Sequence, residues 1–273
     1  MPELPEVETV RAQLERELVG KRILSSRVSL PRLVVYPSPA AYRKGLAGRR
    51  VYAVRRRGKY LLLDLGRAGE LVFHLGMTGS LLLSQPGRKR PRHTHLSFRL
   101  SDGRELLYVD PRTFGVTALV PRGDYRPLPG LAGMGPEPLE DGFTPAMLAE
   151  KLRGRCRLKA ALLDQSRIAG LGNIYADEAL HRASLHPLKR LDELTPGEAE
   201  RLCRAIREVL EEALAEGGSS VSDYVDLQGN RGGFQERHRV YRRAGQPCPR
   251  CGTSIERERV AGRSTYFCPR CQK

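Results

Sequence analysis

The sequence predicts an α+β protein, in which a short N-terminal helix leads into a β-rich domain that is followed by a helical domain and a small metal-binding module. Apolar residues first recur at helical spacing, then fall into short runs between turn residues over 23–120, and return to helical spacing from 144. Two Cys-x-x-Cys pairs lie within 248–271. A chain of 273 residues is long enough for two domains that each bury a core.

The composition points to a polyanionic partner. Lys and Arg total 47 against 31 Asp and Glu, which gives a formal net charge of +16 and a pI near 10.0. No apolar run approaches the eighteen or so residues that a membrane span needs. The first twenty residues contain five glutamates and no apolar core, which argues against a secretory signal. We therefore expect a cytoplasmic protein whose six cysteines are thiols or metal ligands.

The first predicted element is an amphipathic helix over 5–18. Val7, Val10, Leu14 and Leu18 recur at steps of three and four, and Gly20 ends the pattern.

The residues before this helix have chemistry of their own. Removal of Met1 would leave the secondary amine of Pro2, and an α-amino group has a pKa of about 7.7–8.0. Such an amine is a nucleophile near neutral pH and forms an iminium, while Glu3 beside it can act as a general acid or base. The alternative is an ordinary helix start, with Pro5 in the first turn and Glu6 next to it. That alternative explains Pro5 and Glu6 but not Pro2 and Glu3.

The β-rich stretch predicts a sandwich of two sheets, with an Asp-Gly hairpin turn at 102–103. Three sites stand out in it. Lys59 ends a basic cluster, Met77 lies in a glycine-flanked turn, and Arg112 is paired with Phe114 in another turn. A polar strand end, a core methionine and ordinary cation–aromatic packing are the structural alternatives.

Two further stretches before the helical half lack periodicity. Residues 87–95 form a basic loop with His93 and His95, whose charges suit a solvated surface. Residues 122–143 are rich in proline and glycine, which indicates a linker between domains.

The helical half begins at 144 with a Thr-Pro start signal. Short helices over 158–165 and 174–182 are joined by a glycine-punctuated turn, an arrangement typical of helix-turn-helix modules. A capping box at 195–198 opens a longer amphipathic helix, and a polar, glycine-rich segment at 219–235 suits a substrate loop. Cys156 and Cys203 are expected to be small buried side chains.

The strongest local signal is the set Cys248, Cys251, Cys268 and Cys271. Two Cys-x-x-Cys pairs sixteen residues apart can close a tetrahedral zinc site. Four thiolates leave no open coordination position, so the zinc is expected to be structural. The intervening arm has strand character with a turn at Gly262-Arg263, and its arginines suit phosphate contact.

Taken together, these residues resemble the formamidopyrimidine-DNA glycosylase family, also called 8-oxoguanine DNA glycosylases. The motifs occur in the family's order over essentially the whole chain: PELPEVETV, RRGKYL, HLGMTGS, DPRTFG, LLDQ…GLGNIYADE and VYRRAGQPCPRCG…GRSTYFCPRCQ. The resemblance implies that 157–183 is a helix-two-turn-helix and that the cysteine module is a zinc finger. It implies domains at 1–121, 144–236 and 237–273, with the linker at 122–143.

The resemblance also implies a bifunctional DNA glycosylase and AP lyase of base excision repair. The damaged nucleotide leaves the duplex, Pro2 attacks C1′, Glu3 protonates the sugar ring oxygen, and two eliminations leave a one-nucleotide gap. Lys59 matches the lysine that assists the first elimination, and Arg263 matches the phosphate-binding arginine assigned to the second.

The remaining matched positions concern DNA binding. Met77, Arg112 and Phe114 match the residues that fill the vacated base position. The expected DNA contacts are His74, His93, Arg112, Arg155, Lys159, Asn173 and Tyr241. Departures from the family pattern occur beside two of these, since Gly154 interrupts the basic run at Arg155 and Arg242 follows Tyr241.

Two other functions remain open at this point. An endonuclease VIII-type enzyme would use the same chemistry on oxidised pyrimidines, although its members usually begin PEGPE rather than PELPE. A non-catalytic zinc protein that binds nucleic acid would make Pro2 incidental. In the favoured interpretation the partner is damaged double-stranded DNA, one structural zinc ion is bound, no small-molecule cofactor or membrane is involved, and the protein is a monomer.

Overall fold

A computed structural model describes all residues, 1–273, and divides them into two compact units. Unit 1 comprises Met1–Ala132 and Gly217–Gly233, and unit 2 comprises Gly133–Glu216 and Phe234–Lys273. This division differs from the boundaries predicted from the sequence. The segment 217–233, predicted to belong to the helical domain, joins unit 1 because its backbone and Leu227 pack there, and part of the predicted linker forms a short helix.

Unit 1 begins with helix α1 (Leu4–Leu18), whose apolar stripe is buried as the spacing predicts. A second helix, α2, spans Pro39–Leu46, and a short helix, α3, spans Pro129–Ala132. The strands are β1 (Arg22–Val28), β2 (Val34–Tyr36), β3 (Arg49–Arg50), β4 (Ala53–Arg57), β5 (Tyr60–Asp64), β6 (Glu70–His74), β7 (Ser80–Ser84), β8 (Thr94–Leu100), β9 (Glu105–Val109) and β10 (Val116–Val120).

These strands form the predicted two-sheet sandwich. One sheet has the order β3-β1-β8-β9-β7 and the other β2-β10-β6-β5-β4. Alternate side chains of each strand enter a shared core, where the rings of Phe73 and Phe98 meet edge to face at 5.7 Å. The predicted hairpin turn at 102–103 connects β8 to β9.

Unit 2 contains helices α4 (Pro145–Lys151), α5 (Leu158–Leu163), α6 (Asn173–Ala183) and α7 (Pro196–Ala215). The predicted capping box is confirmed, because the Glu198 N–H donates to Thr195 Oγ1 and the Thr195 N–H donates to Glu198 Oε2. Cys203 is buried as expected, whereas Cys156 is exposed. Cys156 lies in the irregular segment before α5, where no apolar face covers it.

The last two strands, β11 (Glu256–Val260) and β12 (Arg263–Phe267), form an antiparallel hairpin. Val260 pairs with Arg263, so the turn residues are Ala261 and Gly262 rather than the predicted Gly262 and Arg263. Both turn residues have positive φ, at 49° and 75°, as a tight two-residue hairpin requires. Arg263 consequently opens a strand and is exposed. None of the helices is both long and apolar enough to cross a membrane.

Candidate active site and nucleic-acid contacts

The two residues before α1 are enclosed. Pro2 is buried and Glu3 is 3 % exposed. The Glu3 N–H donates to Glu6 Oε2 at 2.7 Å, and Glu6 Oε1 accepts the Ser219 N–H at 2.7 Å. Glu6 therefore joins the start of α1 to the segment 217–233. A Cβ atom on Gly218 would lie 2.7 Å from Glu6 Oε1, so this approach requires glycine.

Several charged groups act on the N-terminal amine. Burial lowers the pKa of the Met1 α-amino group below its ordinary value, and Lys59 acts in the same direction. The carboxylates of Glu3 and Glu6 oppose this shift. The charged groups that act on an amine here are three carboxylates, with Asp223 as the third, and one lysine, and such groups can transfer protons to and from an amine.

Lys59 lies in the two-residue turn between β4 and β5 and is only 6 % exposed. Arg56 holds this turn, because its Nη1 donates to the Gly58 carbonyl oxygen at 3.1 Å and its Nε donates to Glu8 Oε2 at 2.8 Å on α1. The turn that carries Lys59 is thereby tied to the helix that carries Glu3.

His74 ends β6 and packs against Tyr60, with ring centroids 4.6 Å apart. Its Nδ1 accepts the Gly76 N–H at 3.3 Å, so the proton of the neutral ring resides on Nε2. Burial, followed by the charge of Lys59, lowers the pKa of His74 to about 4. His74 is therefore a neutral N–H donor near pH 7, which suits a hydrogen bond to a phosphate oxygen.

Met77, Arg112 and Phe114 lie on two turns, one between β6 and β7 and the other between β9 and β10. Phe114 is 56 % exposed, and the Arg112 guanidinium lies 5.0 Å from the centroid of its ring. Contact between so much of an aromatic ring and water is unfavourable in the free protein. That cost is consistent with a residue that packs against a ligand.

Asp110 holds these two turns together. It is fully buried, its Oδ1 accepts the Thr78 hydroxyl at 2.6 Å, and its Oδ2 accepts the Gly115 N–H at 2.9 Å. Thr78 Oγ1 in turn accepts the Arg112 N–H at 3.2 Å. The predicted turn residues are thus brought together by one carboxylate.

His93 lies beside the backbone of Asp110. It is exposed with φ of 60°, and its carbonyl oxygen accepts the Asp110 N–H at 3.1 Å. His95 Nε2 donates to the Asp110 carbonyl oxygen at 3.0 Å. His93 therefore presents its ring to solvent next to the turns of Arg112 and Phe114.

In unit 2 the hairpin β11–β12 is attached to the start of α6. Asn173 Nδ2 donates to the Ser264 carbonyl oxygen at 2.8 Å, directly after Arg263. Asn173 Oδ1 is buried without a hydrogen-bond partner. Tyr241 contacts the ring of Tyr266 at 5.3 Å. Asn173, Arg263 and Tyr241 thus belong to one assembly of α6 and the hairpin.

Lys159 does not fit a direct phosphate contact. Its side chain is completely buried, where Nζ pairs with Asp177 and donates to the Asn173 carbonyl oxygen at 3.2 Å. Asp177 Oδ2 accepts the Tyr266 N–H at 3.1 Å. Lys159 therefore fixes the start of α6 and, through Asp177, strand β12. Arg155 in contrast is exposed before α5.

Glu178, next to Asp177, has a similar structural function. It is 2 % exposed, and its two carboxylate oxygens accept the N–H groups of Arg239, Val240 and Tyr241 at 2.8–3.0 Å. Glu178 thereby holds the backbone of Tyr241 against α6.

The four cysteines of unit 2 fit a zinc ion. All four Sγ atoms lie within 4.8 Å of one another. The Cys248–Cys271 and Cys251–Cys268 sulfur separations are 3.9 and 3.5 Å. Zn–S bonds of about 2.3 Å in a tetrahedron require sulfur separations of about 3.8 Å. The site holds one structural zinc ion and leaves no position open for substrate.

Comparison with known proteins agrees with this geometry. Sequence profiles match residues 1–117 as a formamidopyrimidine-DNA glycosylase N-terminal domain, 134–225 as the H2TH domain of the same enzymes, and 245–273 as a zinc finger found in FPG and IleRS. The chain belongs to the formamidopyrimidine-DNA glycosylase family.

Individual members of the family support the same assignment. The formamidopyrimidine-DNA glycosylase of Symbiobacterium thermophilum is 51 % identical over 94 % of this chain and 84 % of its own length. The crystal structure of the MutM (Fpg) protein from Thermus thermophilus has a TM-score of 0.90, 47 % identity, and 99 % and 98 % coverage of the two chains. A Lactococcus lactis FPG mutant in complex with Fapy-dG DNA has a TM-score of 0.93, 39 % identity and full coverage of both chains.

The residues that position this family's site escaped prediction from the sequence. Glu6, Arg56, Asp110, Asp177 and Glu178 all lie inside or beside the motifs that were identified. Their one signal in the sequence is the presence of charged residues within otherwise apolar patterns. The consecutive carboxylates in the GNIYADE motif are the clearest case, because α6 is buried on nearly every side.

Proposed function

We propose that this protein removes oxidised purines, 8-oxoguanine and formamidopyrimidines, from duplex DNA and then cleaves the strand at the resulting site. The observation that carries the proposal is the enclosed N-terminal segment of unit 1, where Pro2 and Glu3 are buried and the adjoining Met1 amine has Glu3, Glu6, Lys59 and Asp223 as charged neighbours. An amine enclosed beside a carboxyl group is suited to covalent catalysis. The partner DNA is also consistent with the net charge of +16.

The proposed nucleophile is the Pro2 amine, after removal of Met1. Its nitrogen forms a bond to C1′ while the bond from C1′ to the damaged base breaks and the base leaves with the electron pair. Glu3 gives a proton to the ring oxygen O4′, which opens the sugar and leaves a cationic iminium. Its burial keeps Glu3 in a fixed position for this transfer.

The iminium then makes strand cleavage possible. It acidifies the hydrogens on C2′, so loss of a C2′ proton expels the 3′ phosphate, and a second elimination expels the 5′ phosphate. Water hydrolyses the remaining iminium and releases the enzyme. We assign Lys59 to the first elimination and Arg263 to phosphate binding and the second.

The other candidate residues are proposed to hold the DNA. His74 donates its Nε2–H to a phosphate oxygen, and Asn173 and Arg263 together bind another phosphate near the start of α6. Tyr241 and Arg155 add contacts to the DNA backbone, and His93 adds one beside the turns of Met77, Arg112 and Phe114. Lys159 acts through Asn173 rather than by contact.

Met77, Arg112 and Phe114 are proposed to enter the space that the extruded nucleotide leaves. Unstacking a base costs a few kcal/mol, and inserted side chains offset that cost. Arg112 then faces the orphaned base as a hydrogen-bond donor. The exposed Phe114 ring gains the apolar burial that it lacks in the free protein.

The decisive experiment is borohydride trapping on a duplex with 8-oxoguanine opposite cytosine, followed by mass mapping of the cross-linked peptide. We expect an adduct on Pro2. Glu3→Gln should lose base removal but still form an adduct with a preformed abasic site, because an open-chain aldehyde needs no ring opening. Glu15→Gln, on the exposed side of the same helix, is the matched control.

Two outcomes would contradict the proposal. Binding without an adduct, even at an abasic site, would favour a non-catalytic zinc protein. Adducts with oxidised pyrimidines but not with 8-oxoguanine would favour endonuclease VIII-type specificity. Binding itself should weaken steeply with salt, since about six phosphate contacts predict a log–log slope of roughly −5.

A further inference from the structure

A basic groove lies on the face of the β3-β1-β8-β9-β7 sheet that points away from the sandwich core. It consists of two adjoining hollows of about 310 and 300 Å³, which share Arg90, Arg99 and Glu105. Because side chains alternate along a strand, the buried Phe98 faces the core and Arg99 faces the groove. The basic loop before His93, which the proposed function leaves unused, contributes Arg88 and Arg90.

The strand register places serines and arginines side by side in this groove. Arg99 of β8 is opposite Ser25 of β1, and Ser97 is opposite Arg27. Directly opposed residues lie about 5 Å apart at Cβ. Ser97 lines the groove although it is only 5 % exposed, and its hydroxyl has no hydrogen-bond partner. The floor of the groove therefore contains an unused hydroxyl between two guanidinium groups.

The charges of the groove are only partly compensated. Glu105 accepts two hydrogen bonds from Arg90, at 2.9 and 2.7 Å. Arg99 is opposite Glu105 in the strand register, and its charge helps to lower the pKa of that carboxyl, but no second carboxylate lines the groove for Arg27 or Arg88. Four arginines thus face a single carboxylate. An excess of guanidinium groups over carboxylates, beside a hydroxyl, suits phosphate oxygens, which accept two parallel N–H bonds from one arginine.

We propose that this groove binds the sugar–phosphate backbone of a second DNA segment. The proposal rests on the function proposed above, in which another part of the chain engages the damaged duplex. No aromatic side chain lines the groove for base stacking, so contact with phosphates alone makes this binding independent of sequence. The protein can then pass from one DNA segment to another without first dissociating.

The test is dissociation of the zinc-loaded full-length protein from a labelled duplex that contains a tetrahydrofuran abasic analogue, chased with unlabelled undamaged duplex. The wild-type dissociation rate should rise with chase concentration, because the second segment binds before the first leaves. Arg27→Gln/Arg99→Gln should remove this dependence. If the variant keeps part of its dependence on chase concentration, the log–log slope of that dependence against salt should be smaller than in the wild type by about 2, one phosphate contact for each lost arginine.

The matched control is Arg43→Gln/Arg67→Gln, which removes the same charge at exposed positions outside the groove and should behave as the wild type. The proposal is overturned if the wild-type rate is independent of the chase, if the groove variant retains the dependence, or if the control loses it equally. Single-turnover removal of 8-oxoguanine should be unchanged in both variants. If the wild-type protein does not remove 8-oxoguanine, the proposed function is refuted. The chase experiment measures DNA binding only, so it tests the groove separately.

Discussion

Replacing Lys159 by methionine should destabilise unit 2 by about 3–5 kcal/mol, the cost of leaving one member of a buried ion pair unpaired. Both side chains of the Lys159–Asp177 pair are completely inaccessible to solvent. Methionine matches the length of the lysine stem but provides no charge, so the Asp177 carboxylate would retain only the Tyr266 N–H as a donor. For a unit of this size the loss corresponds to a decrease in Tm of about 10–20 °C.

The pH dependence gives the same prediction a second, independent readout. Burial raises the pKa of Asp177 to about 7, against the opposing effect of Lys159. The folded state therefore holds a proton that the unfolded state has already lost above about pH 4, so this group lowers stability as pH rises from about 4 to 7. Without the lysine the pKa rises further. The cost of Lys159→Met should accordingly be larger at pH 8 than at pH 5.5.

Differential scanning calorimetry is the suitable assay, because the chain has no tryptophan and its two units can unfold separately. Lys159→Met/Asp177→Asn should recover most of the loss, since asparagine keeps an acceptor for the Tyr266 N–H without a charge. Lys189→Met is the control, because the Lys189–Glu198 pair is partly exposed and worth about 1 kcal/mol or less. The reasoning fails if Lys159→Met costs no more than this control at either pH.

Three further predictions concern single side chains. Asp110→Asn should reduce the rate of single-turnover 8-oxoguanine removal by at least about tenfold, because the Asp110 carboxylate joins the turns that carry Met77, Arg112 and Phe114. Asp102→Asn is the control and should leave the rate unchanged. Equal rates in the two variants would contradict this prediction. His181 Nε2 lies 3.4 Å from Cys248 Sγ, so His181→Phe should release zinc to a chelator about 10–100 times more readily. His186→Phe is the control and should release zinc as the wild type does. A colorimetric assay of zinc release measures both variants. Because the pKa of His74 is lowered, the unfolded state binds a proton below about pH 6.5, whereas the folded state binds it only near pH 4. The free energy of unfolding should therefore decrease as the pH is lowered from about 6.5 to 4. His74→Gln should reduce this slope in urea titrations, and an unchanged slope would refute the shift.

Much of the site is readable from the amino-acid sequence alone, because it depends on local chemistry. An amine precursor followed by a carboxyl group, two Cys-x-x-Cys pairs and an arginine–phenylalanine turn are recognisable as residue types at fixed spacing. The sandwich and the capped helix α7 were equally predictable, since apolar alternation and a capping box are short-range patterns. The burial of Lys159 was not readable from the sequence, because charge alone does not distinguish a surface cation from a buried one. Only the contact with Asp177, eighteen residues away, makes that distinction.

The sequence by itself therefore determined which groups are present, the kind of chemistry they can perform and the succession of an N-terminal helix, a β-rich stretch and a helical half. The tertiary structure decided how those groups are held. Glu6 reaches a segment more than two hundred residues away, Asp110 joins two turns, and Asp177 with Glu178 attaches the hairpin and Tyr241 to α6. Such contacts have no local signature, because a carboxylate that accepts buried N–H groups from distant segments looks in sequence like any surface acid. The free energy that selects it is the cost of leaving those N–H groups unpaired inside the folded core.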